Sequence, residues 1–491
     1  MISLVQYRPS DNVMFDAWFV TRGDEIHAFH LQNGSISHPE DPNGWAIGHA
    51  VSKDGVSWSP LPSLLPPLFD ESCPEDFHSK FTGCAVNRGG DCYLFYTMRD
   101  KAATNQRLAL AISHDWVHFE RYEGNPVIVN DPETLIGFEN IGNYDWNIVD
   151  CRDLVVVEAG KDDYYGYYAA AADLGERCPV GVIAMVKSSD LLHWSKPKIV
   201  YAADHAGVLE VPDVFFLNGK WVLTCLCGMN YSGRAYSDDE YASNGTFYAL
   251  SDSPEGPFVM PEKNGLLLAG PVQSGFTCRS YLFPGTDRRV LTYIDRPANG
   301  TAMSYPKELV LEDGILKARF FEPLADHFGE PLPLPAPVKE QNSFAWKTYG
   351  GEAKEENGTL TLVTGEKDYH AVSFPVAVPG AVIDAKIAVN AFGGGVFLRT
   401  DCPYLLLLEP EKGRVALWKL YSFEPVGIRS VNLEKGKEYA VKVLLSGHVI
   451  EVYLDGVLTL QCGLPTPTVA SLGIAADRGT VRARDIVIRK V

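Results

Sequence analysis

Three carboxylates in this chain sit inside apolar, strand-like stretches, where an unpaired charge is costly. Asp16 lies in "NVMFDAWFV", Asp153 in "NIVDCRDLVVVE" directly after Arg152, and Glu210 in "GVLEVPDVFFL". Carboxyl groups so placed suit the cleavage of a glycosidic bond. One carboxylic acid protonates the leaving oxygen, and a second carboxylate attacks the anomeric carbon or activates water. A further carboxylate stabilises the oxocarbenium-like transition state. The acid must hold its proton near neutral pH, and partial burial beside anionic neighbours raises a Glu pKa in that direction. Each residue also has a plainer role open to it. Asp16 can cap a turn, Asp153 can pair with Arg152, and Asp213 can replace Glu210 as the acid. Trp18 and Trp146 lie nearby and add aromatic surface suited to the same chemistry.

The elements that must position these groups are strands. The first 325 residues are short apolar runs with period-2 alternation, broken by Gly, Asp and Asn turns, and helical periodicity is nearly absent. A weak repeat runs through them. "SKDGVSW" ends at Trp58, "SHDWVHF" at Phe119, "SSDLLHW" at Trp194 and "SDSPEGPF" at Phe258. Each follows a strand-like run, and their spacing of about 60 to 75 residues suits propeller blades of four strands. A second signal precedes each unit's middle: Asp16 to Gly23, Asp153 to Gly160 and Cys278 to Gly285 each read as one strand plus its hairpin turn. In a propeller that strand lines the central channel, so matching positions converge. Counting units predicts an all-β five-bladed β-propeller over residues 1–328. "EPLPLPAPVKE" marks an extended connector over 329–340. Hairpins such as "YAVKVLLSGHVIEVYLDGVLTLQC", with turns at Ser446-Gly447 and Asp455-Gly456, predict a C-terminal β-sandwich over 341–491 with a packing or accessory role.

Bulk properties set the partners. At 491 residues two domains are expected. Lys and Arg number 43 against 62 Asp and Glu, a formal charge of −19. So acidic a surface repels phosphate backbones and anionic lipid, and disfavours nucleic-acid and membrane partners. A small, neutral carbohydrate substrate suits it. The opening residues lack a basic segment followed by an apolar one, and no apolar run is long enough for a membrane helix. The ten cysteines follow no framework and read as buried free thiols, so the expected location is cytoplasmic. Cys225 and Cys227 share a strand face without a second ligand pair, so no metal site is expected, and the chemistry needs no cofactor. Oligomeric state leaves no trace in the sequence.

The chain resembles glycoside hydrolase family 32, the invertase, levanase and inulinase group, and is also similar to the related family 43 propellers. "WAIGHAVSKDGVSWSPLP" at 45–62 is similar to the family's "WGHAVS-D-HW-LP", and "FTGCAV" from Phe81 to its "FSGSAV". "CRDLVVV" resembles "RDP", "LEVPDVF" resembles "ECPDLF", and residues 303–324 resemble the segment that closes the family's propeller. The resemblance implies a five-bladed propeller followed by a β-sandwich. It implies Glu210 as general acid/base, Asp153 as transition-state stabiliser, Arg152 as a sugar ligand and Asp16 as nucleophile. Gln32, Trp45 and Phe81 then correspond to substrate-pocket residues, joined by Trp18. The expected activity is a retaining release of fructose from β-fructofuranosides such as sucrose or short fructo-oligosaccharides.

The departures lie in the pocket. The family's "WMNDPNG" is replaced by "VMFDAWF", "RDP" by Arg152-Asp153-Leu154, and "EC" by Glu210-Val211. A "DPNG" does occur at Asp41, but after the hairpin that should follow the nucleophile, where it reads as a turn. Two alternatives follow. One is a family 43-like hydrolase of arabinofuranosides or related pentosides, with Asp16 activating water. The other is a carbohydrate-binding propeller without turnover.

Overall fold

The computed structural model describes residues 6–9, 13–33, 46–64, 76, 80–100, 102, 104–143, 148–175, 179–202, 208–227, 245–262, 265–269, 277–295, 301–339, 348–422, 424–464 and 468–491. The first unit comprises β1 (Val13–Arg22), β2 (Glu25–Asn33), β3 (Ala46–Ser52) and β4 (Ser59–Leu64). The second comprises β5 (Phe81–Arg88), β6 (Asp91–Arg99), β7 (Gln106–Ser113) and β8 (Glu120–Arg121). The third comprises β9 (Cys151–Gly160), β10 (Asp163–Ala172), β11 (Val180–Ser188) and β12 (Lys198–Ala202). The fourth comprises β13 (Glu210–Leu217), β14 (Lys220–Cys227), β15 (Gly245–Ser251) and β16 (Leu266–Leu268). Each is a four-stranded antiparallel sheet with its strands in chain order.

The repeated motif is the device that ends the third strand of each sheet. Ser52, Ser113, Ser188 and Ser251 are the last residues of β3, β7, β11 and β15. In the first three copies the serine hydroxyl accepts a backbone N–H three residues on, from Gly55, Trp116 and Leu191. The Asp at the third position accepts two more, as Asp54 does from Val56 and Ser57 at 2.8 and 2.7 Å. The residue after that Asp takes a left-handed φ near 70° (Gly55, Trp116, Leu191). Side-chain oxygens thus hold the tight corner leading to the fourth strand.

The expectation of five separate blades is corrected. The fifth unit, β17 (Cys278–Leu282), β18 (Arg289–Asp295), β19 (Ala302–Met303), β20 (Lys307–Glu312) and β21 (Ile315–Phe320), is not closed as a sheet of its own. Arg319 of β21 pairs with Val457, so these strands run on into one 18-stranded sheet with the C-terminal part. This unit also lacks the Ser-x-Asp corner that the first three copies share, and in the fourth the third position is Ser253, whose N–H donates to Ser251 Oγ at 3.1 Å. The first strands of the five units touch in cyclic order, β1 to β5, β9, β13, β17 and back to β1.

The proline-rich stretch is extended and mostly exposed, and Gly329 and Leu332 donate to the carbonyls of Lys490 and Ile488, laying it along the last strand. In the C-terminal sheet, Ile450, Val452 and Leu454 enter its apolar core, while Glu451 and Tyr453 point the other way and bond each other at 2.6 Å. The second hairpin turn is at Asp455-Gly456, both at positive φ, and the first at Gly447-His448. The eight described cysteines are buried.

Candidate active site

Asp16, Asp153 and Glu210 each lie near the start of a ring strand, and each start carries a break in strand register. The pairing of β1 with β2 shifts between Phe15 and Ala17 and leaves Asp16 as the extra residue, at φ 23°. Asp153 sits at a similar shift against β10, at φ 62°. In β13 the shift lies between Glu210 and Asp213, with Val211 at φ 48°. In β5 it lies between Phe81 and Cys84. A bulge re-aims the side chains around it, and here the same device recurs in four neighbouring strands. Aspartate tolerates a left-handed backbone. A β-branched valine does not, and Val211 costs about 1–3 kcal/mol of strain. Its N–H donates to Oδ2 of Asp153 at 2.9 Å, which ties the strained residue to the neighbouring carboxylate.

Arg152 gathers the acids. Its Nη1 pairs with Asp150, its Nε lies 3.5 Å from Asp153 Oδ2, and its Nη2 lies 3.4 Å from Glu210 Oε1. Arg152 and Asp153 are buried, whereas the Glu210 side chain keeps 36% of its surface open, so a substrate oxygen can reach it. Burial pushes the Asp153 carboxyl up to about 7. Arg152 and the Val211 N–H oppose this, and Asp16 and Glu210 add to it. Burial also raises the Glu210 pKa, against Arg152 and with the help of Asp16 and Asp150. For Arg152 burial works against the charge, but Asp150, Glu210 and Asp153 outweigh it and keep the guanidinium protonated. The cluster therefore holds a carboxyl that retains its proton above the usual range, among carboxylates, around a fixed cation. That is the equipment of acid-assisted glycoside cleavage.

The sequence missed the groups that hold this cluster in place. Thr82 donates to Asp16 Oδ2 at 2.6 Å. Thr97 donates to the Thr82 carbonyl at 2.8 Å and accepts the Asp153 N–H at 3.1 Å. Asp150 stands two residues before Arg152, on the same side of the chain, and that spacing was the available signal. Asp213, the alternative acid, is buried and accepts both N–H and O–H of Ser280, at 2.8 and 2.6 Å.

The other pocket candidates are dispersed. Phe81 is half-buried under the Arg99 guanidinium, 4.2 Å from its ring centroid. Gln32 is buried on β2 opposite Met14. Trp18 is a correction. It is 1% exposed and stacks on Phe29 at 6.3 Å, in the apolar cluster between the first two sheets. Strand alternation puts it on the Asp16 face, but the bulge at Asp16 breaks that alternation. Trp45, Trp146 and the Asp41 turn lie outside the described residues.

The model of the glycosyl hydrolases family 32 N-terminal domain matches residues 8–263. A levanase of Bacillus sp. (strain L7) is 28% identical over 260 residues, covering 50% of this chain and 25% of that protein. A fructan 6-exohydrolase of Triticum aestivum is 29% identical over 200 residues, covering 38% and 30%. The chain thus matches less than a third of the length of these curated relatives. Among solved structures, the GH32 beta-fructofuranosidase of Bombyx mori superposes with a TM-score of 0.71 at 17% identity, covering 100% of this chain and 93% of that one. Sucrose-6-phosphate hydrolase of Lactobacillus gasseri gives 0.70 at 14%, with the same coverage. These structures share a fold with this chain, and the domain match spans the strands that carry Asp16, Arg152, Asp153 and Glu210: the chain belongs to glycosyl hydrolase family 32.

Proposed function

We propose that this chain is a retaining glycoside hydrolase that releases fructose from β-fructofuranosides such as sucrose or short fructo-oligosaccharides. The observation that carries the reading is the meeting of Asp153 and Glu210 at Arg152, with Asp16, from a third sheet, near enough for its charge to act on both carboxyls. In this scheme Glu210 gives its proton to the leaving oxygen while Asp16 attacks the anomeric carbon. The bond between sugar and leaving group breaks, and a glycosyl ester to Asp16 forms. Glu210, now a carboxylate, takes a proton from water, and that water displaces Asp16 with net retention. Asp153 and Arg152 bind sugar hydroxyls, and Asp153 stabilises the developing positive charge. Names of relatives support the substrate class, since one Bombyx mori structure is described in complex with sucrose and a Cichorium intybus fructan 1-exohydrolase with 1-kestose.

The same reading takes residues 1–328 as the catalytic domain, its ring of first strands closed by the contact of β17 with β1. Residues 329–340 then link it to an accessory β-sandwich over 341–491, and the cytoplasm is the proposed site of action. The test is a panel of sucrose, 1-kestose, inulin, levan and arabinan, with proton NMR of the released anomer. Asp16→Asn and Glu210→Gln should each lose several orders of magnitude in rate. Full activity in either variant, or an inverted product, defeats the assignment. Calorimetric sugar binding with no turnover on any substrate makes the chain a binding propeller instead.

A further inference from the structure

Beyond the carboxylates the ring strands enclose a cavity of about 350 Å³, lined by later residues of β1, β5, β9 and β13 and by β17. Asn87, Glu158 and Leu282 at its rim are exposed, so it opens to solvent at the far ends of the ring strands from Asp16 and Glu210.

Arg279 in its wall is only 2% exposed. Its Nη2 donates to the Asp153 carbonyl at 3.0 Å, while Nε and Nη1 have no partner among the described residues. A guanidinium cannot shed its charge, and burying one with unmet N–H groups is costly. Arg289 lines the same cavity. Its Nη1 reaches Ser280 Oγ at 3.4 Å, and its Nε also lacks a partner among the described residues. The nearby buried carboxylate is Asp213, whose Oδ2 is taken by Ser280. Glu158 lies at the exposed rim, where water screens it. Neither arginine forms an ion pair with a carboxylate among the described residues. The cavity wall therefore holds one buried and one half-buried cation against one engaged carboxylate.

We propose that this cavity binds a small monovalent inorganic anion, such as chloride, on the unmet N–H groups of Arg279, with Arg289 supplying the second positive charge. Burial also pushes the neighbouring Cys84 thiol up to about 12, so it contributes no competing negative charge at neutral pH. The inference stands apart from the proposed hydrolysis, and its test reads binding.

The full chain is melted across a chloride series in which gluconate keeps ionic strength constant, and crystals are soaked in bromide. The expected results are a saturable rise of Tm with chloride and an anomalous bromide peak beside the Arg279 guanidinium. Arg279→Gln should weaken the chloride response at least about tenfold, the loss of a charge-assisted hydrogen bond. A flat response with no anomalous peak means that water alone meets the guanidinium, and overturns the proposal. An unchanged response in Arg279→Gln, or a response to sulfate alone, overturns it too. Should Arg279→Gln fail to fold, the bromide peak in the wild-type chain decides.

Discussion

The hydroxyl of Thr82 donates to Oδ2 of Asp16 at 2.6 Å and so joins the bulge of one ring strand to the bulge of the next. The bond fixes one carboxylate oxygen and leaves the other to react. Thr82→Val should lower kcat about ten- to hundredfold, the worth of one hydrogen bond to a charged group, with KM little changed. Thr82→Ser should retain most activity. Initial rates on sucrose or 1-kestose check both, and a Val variant as active as the Ser variant removes Thr82 from the mechanism.

Asp150 holds Nη1 of Arg152 and raises the Glu210 pKa through its charge. Asp150→Asn keeps an acceptor but removes that charge, and it frees Arg152 to favour the ionised form of Glu210. Both effects lower the Glu210 pKa. The alkaline limb of kcat/KM should therefore move to lower pH, because the acid loses its proton sooner. A pH–rate profile of the variant beside the wild type reads the shift, and a limb displaced upward contradicts the role given to Asp150.

The strands were legible because their cue is local: alternation and turn residues specify sheets without any knowledge of neighbours. The Ser-x-Asp motif was legible for the same reason, since its oxygens bond backbone groups two and three residues away. The acids were found because charge inside an apolar run is anomalous. Thr82, Thr97 and Arg279 were not, because their partners lie 56 to 126 residues away in sequence. The misplacement of Trp18 has one cause, a bulge at Asp16 that hydrophobic pattern does not encode. The fifth unit was miscounted as a separate sheet because the pairing of Arg319 with Val457 is equally remote.

Gly83 follows Thr82 in the β5 bulge. A Cβ there would lie 1.9 Å from the carbonyl oxygen of Phe95. That neighbour is backbone within a sheet and cannot swing aside. Gly83→Ala should destabilise the chain by about 1–3 kcal/mol or more and, by shifting Thr82, lower the rate as well. Thermal melting and initial rates measure the two effects, and an Ala variant of wild-type stability contradicts the close approach.

Asp295 offers a test away from the acids. It is 1% exposed and accepts the Gln6 amide at 2.7 Å. Burial pushes its carboxyl up to about 7, with Lys307 opposing and Glu451 assisting. The sign follows from proton counting. Below the ordinary aspartate pKa of about 4, folded and unfolded chains both hold the proton and folding is indifferent to pH. Between about 4 and about 7 the unfolded chain ionises while the folded chain keeps its proton. Stability then falls as pH rises, by up to about 1.4 kcal/mol per pH unit from this residue. Above about 7 both forms are ionised and the loss is complete. Asn in this position still accepts the Gln6 bond but has no proton to lose. The Tm of Asp295→Asn minus that of the wild type should thus be smallest near pH 4, climb in the variant's favour to about pH 7, and level off. Taking the difference removes the opposite contribution of carboxylates with lowered pKa values, such as Asp54 with its backbone donors, which both chains share. A difference that stays constant from pH 4 to 8 means that Asp295 is ionised throughout in the folded chain.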